Sequence, residues 1–446
     1  MKISIAGAGS GKTTKMADKI INCYENTEKH LNIYCIAFTN NAADHIKDKL
    51  SEHFGETPER IKVSTIHSFL YQEIIRPYYY LLYGRQYGMV SNIKLPTDPK
   101  TKNWKINELD KVNILHLTAI PQRAKWVMVK KSGDKKHEKN IRKIIQSTFI
   151  KYCGAIYIDE AQDIDGEFLE ILKIFESIGI QMELMGDPKQ DLKGFGNLRK
   201  LVEICPENVN YITECHRCPQ KHLDVSNLIV RKDENQKSQK SSGTLSIIFE
   251  SESDIRELID ISCFDLKYIS AKNERFETHN QEDSSTCFDT LNHEIGIALT
   301  NLLSDSSEIT VARCAYYYAG KLINSYQKTH NAKKTMSDVF SILRFSKQDY
   351  AKIIQALQLT EEKINEGKIL VSSIESIKGK EGNNCFFVLT TDLAEYLFAK
   401  KSGENKTKNK LYVALTRSLD KLTILIANEV EEKYGRGIIH KYINCR

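Results

Sequence analysis

A glycine-rich loop, Ala6-Gly7-Ala8-Gly9-Ser10-Gly11-Lys12-Thr13-Thr14, stands between a short apolar run and a segment of helical period. Glycines in such a loop let backbone N–H groups converge on phosphate oxygens, the lysine reaches the β and γ oxygens, and the hydroxyl after it can ligate a divalent cation. Strand, loop, Lys-Thr and helix agree, although Ala6 occupies the place of the strict pattern's first glycine. Further along, Asp159-Glu160-Ala161-Gln162-Asp163 closes one apolar run and Gly186-Asp187-Pro188-Lys189-Gln190 another. An acidic residue at a strand's carboxyl end beside a phosphate loop, here Asp159, can hold Mg²⁺, and the adjacent Glu160 can orient or deprotonate an attacking water. Gln190 is placed to sense a γ-phosphate. Taken singly, the acidic string reads as a helix N-cap and the Gly-Asp-Pro string as a turn. Behind a phosphate loop they point to Mg²⁺-assisted hydrolysis of a nucleoside triphosphate.

Such residues need a sheet to position them. Short apolar runs alternate with helix-period segments: Ile3 to Ala6, Ile33 to Phe38, Ile61 to Thr65, Ala155 to Ile158, Met182 to Met185 and Tyr211 to Thr213. The rhythm pauses at the polar stretch Arg231 to Gly243. It resumes with Leu245 to Phe249, Leu266 to Ile269, Ile369 to Ser372, Cys385 to Thr390 and Leu422 to Ala427. It predicts an α/β chain with parallel, doubly wound sheets, in two domains joined near residues 214–243. Two stretches interrupt it. Residues 71–150 hold Tyr78-Tyr79-Tyr80, Trp104 and Trp126. From Arg123 to Lys151 they carry ten Lys/Arg against Asp134 and Glu138. That run reads either as a solvated face or as a nucleic-acid surface with aromatics among the cations. Residues 276–366 form a second insertion, polar and mostly helical in period.

At 446 residues, with 41% hydrophobic and 27% charged side chains, the chain has material for two to four domains with real cores, which excludes wholesale disorder and a small stapled scaffold. A net charge of +6 is modest, so affinity for nucleic acid must come from local patches. The eleven cysteines lack the spacing of a disulfide framework, and Cys215 and Cys218 lack the second pair that a zinc site would need. The N-terminus does not read as a signal peptide, and no apolar run reaches the roughly 18 residues that cross a bilayer. The expectation is a reduced, cytoplasmic protein with no membrane partner. No nuclease constellation is present.

The order of motifs resembles the UvrD/Rep/PcrA-like helicases of superfamily 1. The segments that carry the resemblance are the phosphate loop, Ala37-Phe38-Thr39-Asn40-Asn41-Ala42-Ala43, Ser64-Thr65-Ile66-His67-Ser68-Phe69, the acidic string and the Gly-Asp-Pro string. They continue with Glu214-Cys215-His216-Arg217, Ser373 to Glu381, and Leu411-Tyr412-Val413-Ala414-Leu415-Thr416-Arg417. The resemblance implies two RecA-like P-loop NTPase domains with ATP between them. The first would take residues 1–70 and 151–213, the second 214–275 and 367–446. A basic, aromatic accessory insertion would occupy 71–150 and a reduced helical one 276–366. It further implies that Ala6 to Thr14 hold the ATP phosphates, Thr13 and Asp159 the Mg²⁺, and Glu381 the ribose. Lys12, Glu160 and Gln190 would act from the first domain, with Arg217 and Arg417 as arginine fingers on the opposing wall. Phe38, Thr39, Asn40, Thr65, His67 and Phe195 would grip DNA.

The implied function is an ATP-dependent helicase or translocase moving 3′-to-5′ on single-stranded DNA. The alternative is a DNA-stimulated ATPase switch, or DNA-end sensor, that regulates a partner nuclease. Short forms of this family stand beside nucleases in phage-defence systems such as Gabija. There are departures from the family pattern. Lys193 replaces an aromatic on the DNA path, Phe195 keeps a second one, and Gly196 stands for an arginine. Glu375 replaces the usual histidine and Lys380 an apolar residue. Only five residues precede Ala6, where the family's adenine-reading glutamine motif would stand, so the preference for ATP over GTP rests on resemblance.

Overall fold

The phosphate loop leaves an inner strand of a six-stranded sheet. In this computed structural model, β1 (Lys2–Ala6), β2 (Asn32–Ala37), β3 (Ile61–Thr65), β4 (Cys153–Ile158), β5 (Gln181–Gly186) and β6 (Val209–Ile212) pair in the order β3-β2-β4-β5-β1-β6, all parallel. All residues are described except 241, 262, 280–283, 304–307, 342, 359–367 and 444–446. The strands read as continuous apolar runs because both faces are covered. On β2, Ile33, Cys35 and Ala37 meet the helices Lys12–Asn26 and Asn40–Phe54, which bury Met16, Ala17, Ile20, Ala43, Ile46 and Leu50 at helical spacing. Tyr34, pointing the other way, joins an aromatic cluster with Phe69, Phe149 and Phe175, the last two stacked 5.0 Å apart. Because all six strands run in one direction, every motif loop that follows one emerges along the same edge.

The second sheet comprises β7 (Thr244–Phe249), β8 (Leu266–Ile269), β9 (Phe276–His279), β10 (Ile369–Ser373), β11 (Gly382–Leu389) and β12 (Ser418–Ile426), in the order β7-β12-β11-β8-β10-β9. On β11, Cys385, Phe387 and Leu389 face one core, with Leu393, Leu411 and Val430 from its covering helices. Phe386 and Val388 face another, with Ile255 and Val371. These are two parallel, doubly wound RecA-like sheets. Strands β11 and β12 begin earlier than the apolar runs at Cys385 and Leu422 suggest, since Asn383, Asn384, Asp420 and Lys421 near their starts are polar. β9 has no counterpart among the expected runs. The polar stretch 231–243 holds a two-residue strand, Lys237–Ser238, parallel to Glu214–Cys215.

Both sheets belong to one compact unit, Met1–Gly84 with Pro121–Thr278 and Lys368–Arg446. The other unit is Arg85–Ile120 with His279–Gly367. The stretch 71–150, expected as one insertion, is therefore divided. Tyr78 bonds Tyr152 through their hydroxyls at 2.7 Å, and the Tyr83 hydroxyl donates to the Trp126 carbonyl at 3.1 Å, so both flanks join each other in the unit that holds the first sheet. The middle, 85–120, packs instead with the helices of the second insertion: the Lys94 amide donates to Thr290 Oγ1 at 2.7 Å, and Lys105 faces Glu294. That smaller unit has its own core of Leu291, Ile295, Leu299, Ala315, Leu322, Met336 and Ile353. Among the described residues no helix is long and apolar enough to cross a membrane.

Candidate active site

At the end of β1 the chain turns through the glycine loop, and the helix begins at Lys12. Lys12 Nζ donates to the carbonyls of Ala6 (3.2 Å) and Gly7 (3.5 Å). Ser10 Oγ is buried without a hydrogen-bond partner. An orphaned hydroxyl inside a loop of converging amides fits a phosphate oxygen. Gly9 has φ +68°, and a Cβ there would lie 2.2 Å from Arg217 Cβ; only glycine admits both the left-handed backbone and the arginine. The His216 amide donates to the Gly9 carbonyl at 2.8 Å.

Two adjacent carboxylates follow β4. Asp159 is buried and accepts the Glu160 amide at 2.9 Å. Burial and the neighbouring Glu160 charge push its pKa up to about 7, against the pull of Lys12 and a hydrogen bond from Thr13. For Glu160, burial also disfavours the charge, but Lys12 and Lys378 outweigh it and hold the carboxyl below its ordinary range. Opposed shifts in neighbouring carboxyls mark two roles. Glu160 is thereby favoured in its charged form, whereas Asp159 is a buried carboxyl short of positive charge beside Thr13. Glu160 also sits at φ +53°, a strained position for a non-glycine residue, and Gln162 donates to its carboxylate. The Gln162 side chain accepts the Asp187 amide at 2.9 Å, and Asp187 in turn accepts Gln190 Nε2 at 3.0 Å. Gln190 is thus held by the motif that carries it.

The opposing wall comes from the second sheet and its leading segment. Arg417 follows the helix Lys406–Leu415 and is fully buried; its guanidinium donates to the Val413 and Lys380 carbonyls and reaches Gln190 Oε1 at 3.5 Å. Arg217 Nε donates to Glu381 Oε2 at 2.7 Å, so two residues expected to contact different parts of ATP hold each other. Lys378 pairs with Asp163 at 2.7 Å across the two halves. A buried trio was not foreseen. The Ala8 amide donates to the Tyr412 hydroxyl (3.0 Å), which donates to Gln236 Oε1 (2.7 Å), while Gln236 Nε2 donates to the Ala8 carbonyl (3.0 Å). Tyr412 lies within a quoted motif, but Gln236 lies in the polar stretch, where no periodicity marks it.

The residues expected on DNA flank this site along the same strand edge. Phe38 is half-buried after β2, and Phe195 is 38% exposed in the loop after Gln190. Lys193 Nζ lies 5.7 Å from the Phe38 ring centre and 5.8 Å from that of Phe195. The lysine that replaces an aromatic therefore sits within cation–π range of two others. His67 lies beside it: burial and then the Lys193 charge depress its pKa, so it is neutral at pH 7. The Thr39 and Thr65 hydroxyls accept the Ala42 (3.2 Å) and Ser68 (3.3 Å) amides as helix N-caps, and Asn40 opens the first of these helices. Both threonine hydroxyls are thus engaged as N-caps of their own helices.

Two family profiles match the chain: one described as "AAA domain" over residues 1–196, and one described as "Viral superfamily 1 RNA helicase core domain" over 292–426. Identity is 29% over 231 residues with the Gabija protein GajB of Bacillus cereus, covering 50% of this chain and 45% of that protein. It is 25% over 183 residues with the ATP-dependent DNA helicase PcrA of Staphylococcus aureus, covering 39% and 24%. With the ATP-dependent DNA helicase Rep of Buchnera aphidicola it is 43% over 74 residues, covering 16% and 11%. These matches make the chain similar to the UvrD/Rep/PcrA-like helicases of superfamily 1. Its matches span less than half the length of each of these relatives.

The basic run 123–151 is only partly a surface. Arg142 is buried, pairs with Asp134 at 2.7 Å and donates to the Trp126 and Val127 carbonyls. Arg123 and Lys131 lie 4.0 and 4.5 Å from the Trp126 ring centre, and Lys125 pairs with Glu167. The cations nearest the tryptophan hold the fold together. Lys130, Lys135, Lys136, Lys139, Lys143 and Lys151 remain exposed.

Proposed function

We propose that this chain is an ATP-driven motor that hydrolyses ATP between its two RecA-like sheets and moves 3′-to-5′ along single-stranded DNA in the cytoplasm. The observation that carries this reading is the placement of two arginines from the second half on the phosphate side of the first: Arg217 against Gly9, and Arg417 within 3.5 Å of Gln190. Bound MgATP supplies the phosphoryl group, its cation held by Thr13 and Asp159. Lys12 then exchanges the Ala6 and Gly7 carbonyls for phosphate oxygens. Glu160 takes the proton of the attacking water, and Gln190 holds that water in line. Arg417 and Arg217 stabilise charge on the transferring group only while the two sheets stay together, so hydrolysis and domain motion are coupled. Glu381, released from Arg217, is free for the ribose. Phe38, Lys193 and Phe195 stack on bases and meet phosphate without reading sequence, as a translocase requires.

The test is turnover against nucleotide binding. Arg417→Ala should lower kcat by about 10³-fold or more, the worth of an arginine finger. Glu160→Gln should bind ATP normally and barely turn it over. Robust hydrolysis by either variant refutes the assignment. A second reading, a DNA-stimulated ATPase switch that regulates a partner nuclease, is favoured by the likeness to the Gabija protein. A switch saturates on short strands, whereas a motor's turnover grows with strand length.

A further inference from the structure

In the smaller unit the helix Glu308–Thr329 turns Val311, Ala315, Ala319, Leu322 and Tyr326 to the core. Its opposite face carries Arg313, Tyr316, Tyr317, Lys321 and Lys328, all exposed. Tyr316 and Tyr317 are 65% and 61% exposed, large for aromatic side chains on a helix with a well-filled core. They are nonetheless held in place. Tyr316 meets Phe288 edge-on at 5.0 Å; Tyr317 meets Tyr318 edge-on at 5.4 Å, and Tyr318 rests on Phe340. Edge contacts of this kind fix a ring while leaving a face open. Lys321 Nζ lies 5.9 Å from the Tyr317 ring centre. Glu308 at the first position is the helix's one acidic residue, and Arg313, Lys321 and Lys328 form no ion pair among the described residues. From Arg313 to Lys328 the helix rises about 22 Å.

We infer that this face is a second nucleic-acid contact, a track on which bases of a single strand stack on Tyr316 and Tyr317 while Arg313, Lys321 and Lys328 meet its phosphates. Unpaired cations of one sign beside preset rings complement a polyanion with exposed bases. A protein-docking face would be depleted in lysine at its centre. The inference extends the proposed action on single strands but uses none of the residues assigned to it.

The full chain is tested with oligothymidylate and oligouridylate carrying photoreactive 5-iodouracil, together with fluorescence anisotropy on short and long strands. A crosslink to Tyr316 or Tyr317 is expected with at least one of the two backbones. Tyr316→Ala and Tyr317→Ala should each weaken long-strand binding about 5-fold or more, with the Phe variants restoring it. Arg313→Gln, Lys321→Gln and Lys328→Gln together should reduce the slope of log K against log salt by about 2. Absence of crosslinks at this face, unchanged long-strand affinity and salt slope, or loss of a co-purifying protein with nucleic-acid affinity intact would each overturn the inference. A chain that crosslinks here yet hydrolyses ATP without regard to DNA supports this face and refutes the proposed motor.

Discussion

Asp159→Asn should leave the chain inactive and more stable. Asp159 has a pKa near 7 in the folded chain against 3.8 ordinarily, because burial and Glu160 oppose its charge. Between those values the folded chain holds a proton that the unfolded chain has released, so stability falls as pH rises. At roughly 1.4 kcal/mol per unit the loss is about 2 kcal/mol at pH 5 and about 4 kcal/mol at pH 8, with none added above the folded pKa. Asparagine keeps an oxygen for the Glu160 amide now bound at 2.9 Å and carries no charge. It also withdraws a partner from Lys12, which trims the gain to about 2–4 kcal/mol at pH 8. Urea denaturation without divalent cation, at pH 5 and pH 8, measures this directly, with ATP turnover followed in parallel. A variant less stable than the parent at pH 8, or one that gains equally at both pH values, would refute the reasoning.

Other outcomes follow from the same geometry. Tyr412→Phe strands the Ala8 amide and the Gln236 side-chain carbonyl in a buried site and should cost about 2–4 kcal/mol by denaturation, with MgATP recovering part of it as phosphate takes over the amide. Arg142→Ala leaves the buried Asp134 without its counter-charge and should cost about 3–5 kcal/mol, whereas Lys139→Ala, on the same basic run but exposed, should stay within about 0.5 kcal/mol. Lys193→Ala and Phe195→Ala should each weaken oligothymidylate binding by about 1–3 kcal/mol in anisotropy titrations while leaving DNA-free ATP hydrolysis unchanged.

The sheets were legible because parallel strands buried on both faces leave unbroken apolar runs, as at Ile33 to Ala37 and Cys385 to Leu389. The phosphate loop and the acidic string were legible because their chemistry demands fixed residue types at fixed spacing. Contacts across the cleft were not. Gln236 is one polar residue among many in its stretch, and nothing local says that Ala8 will be its partner. The division of 71–150 was hidden for a similar reason: Lys94 and Lys105 pack on a helix nearly two hundred residues away, and a basic run looks the same whether its arginines face solvent or, like Arg142, the interior.

In the proposed motor, two arginines and a phosphate loop make one ATPase driven by a nucleic-acid strand. It is tested most directly by steady-state ATP hydrolysis without DNA and with single strands of increasing length, using Lys12→Ala as control. A motor's turnover rises with strand length and vanishes in the control; turnover that ignores DNA, or persists without Lys12, would contradict that role.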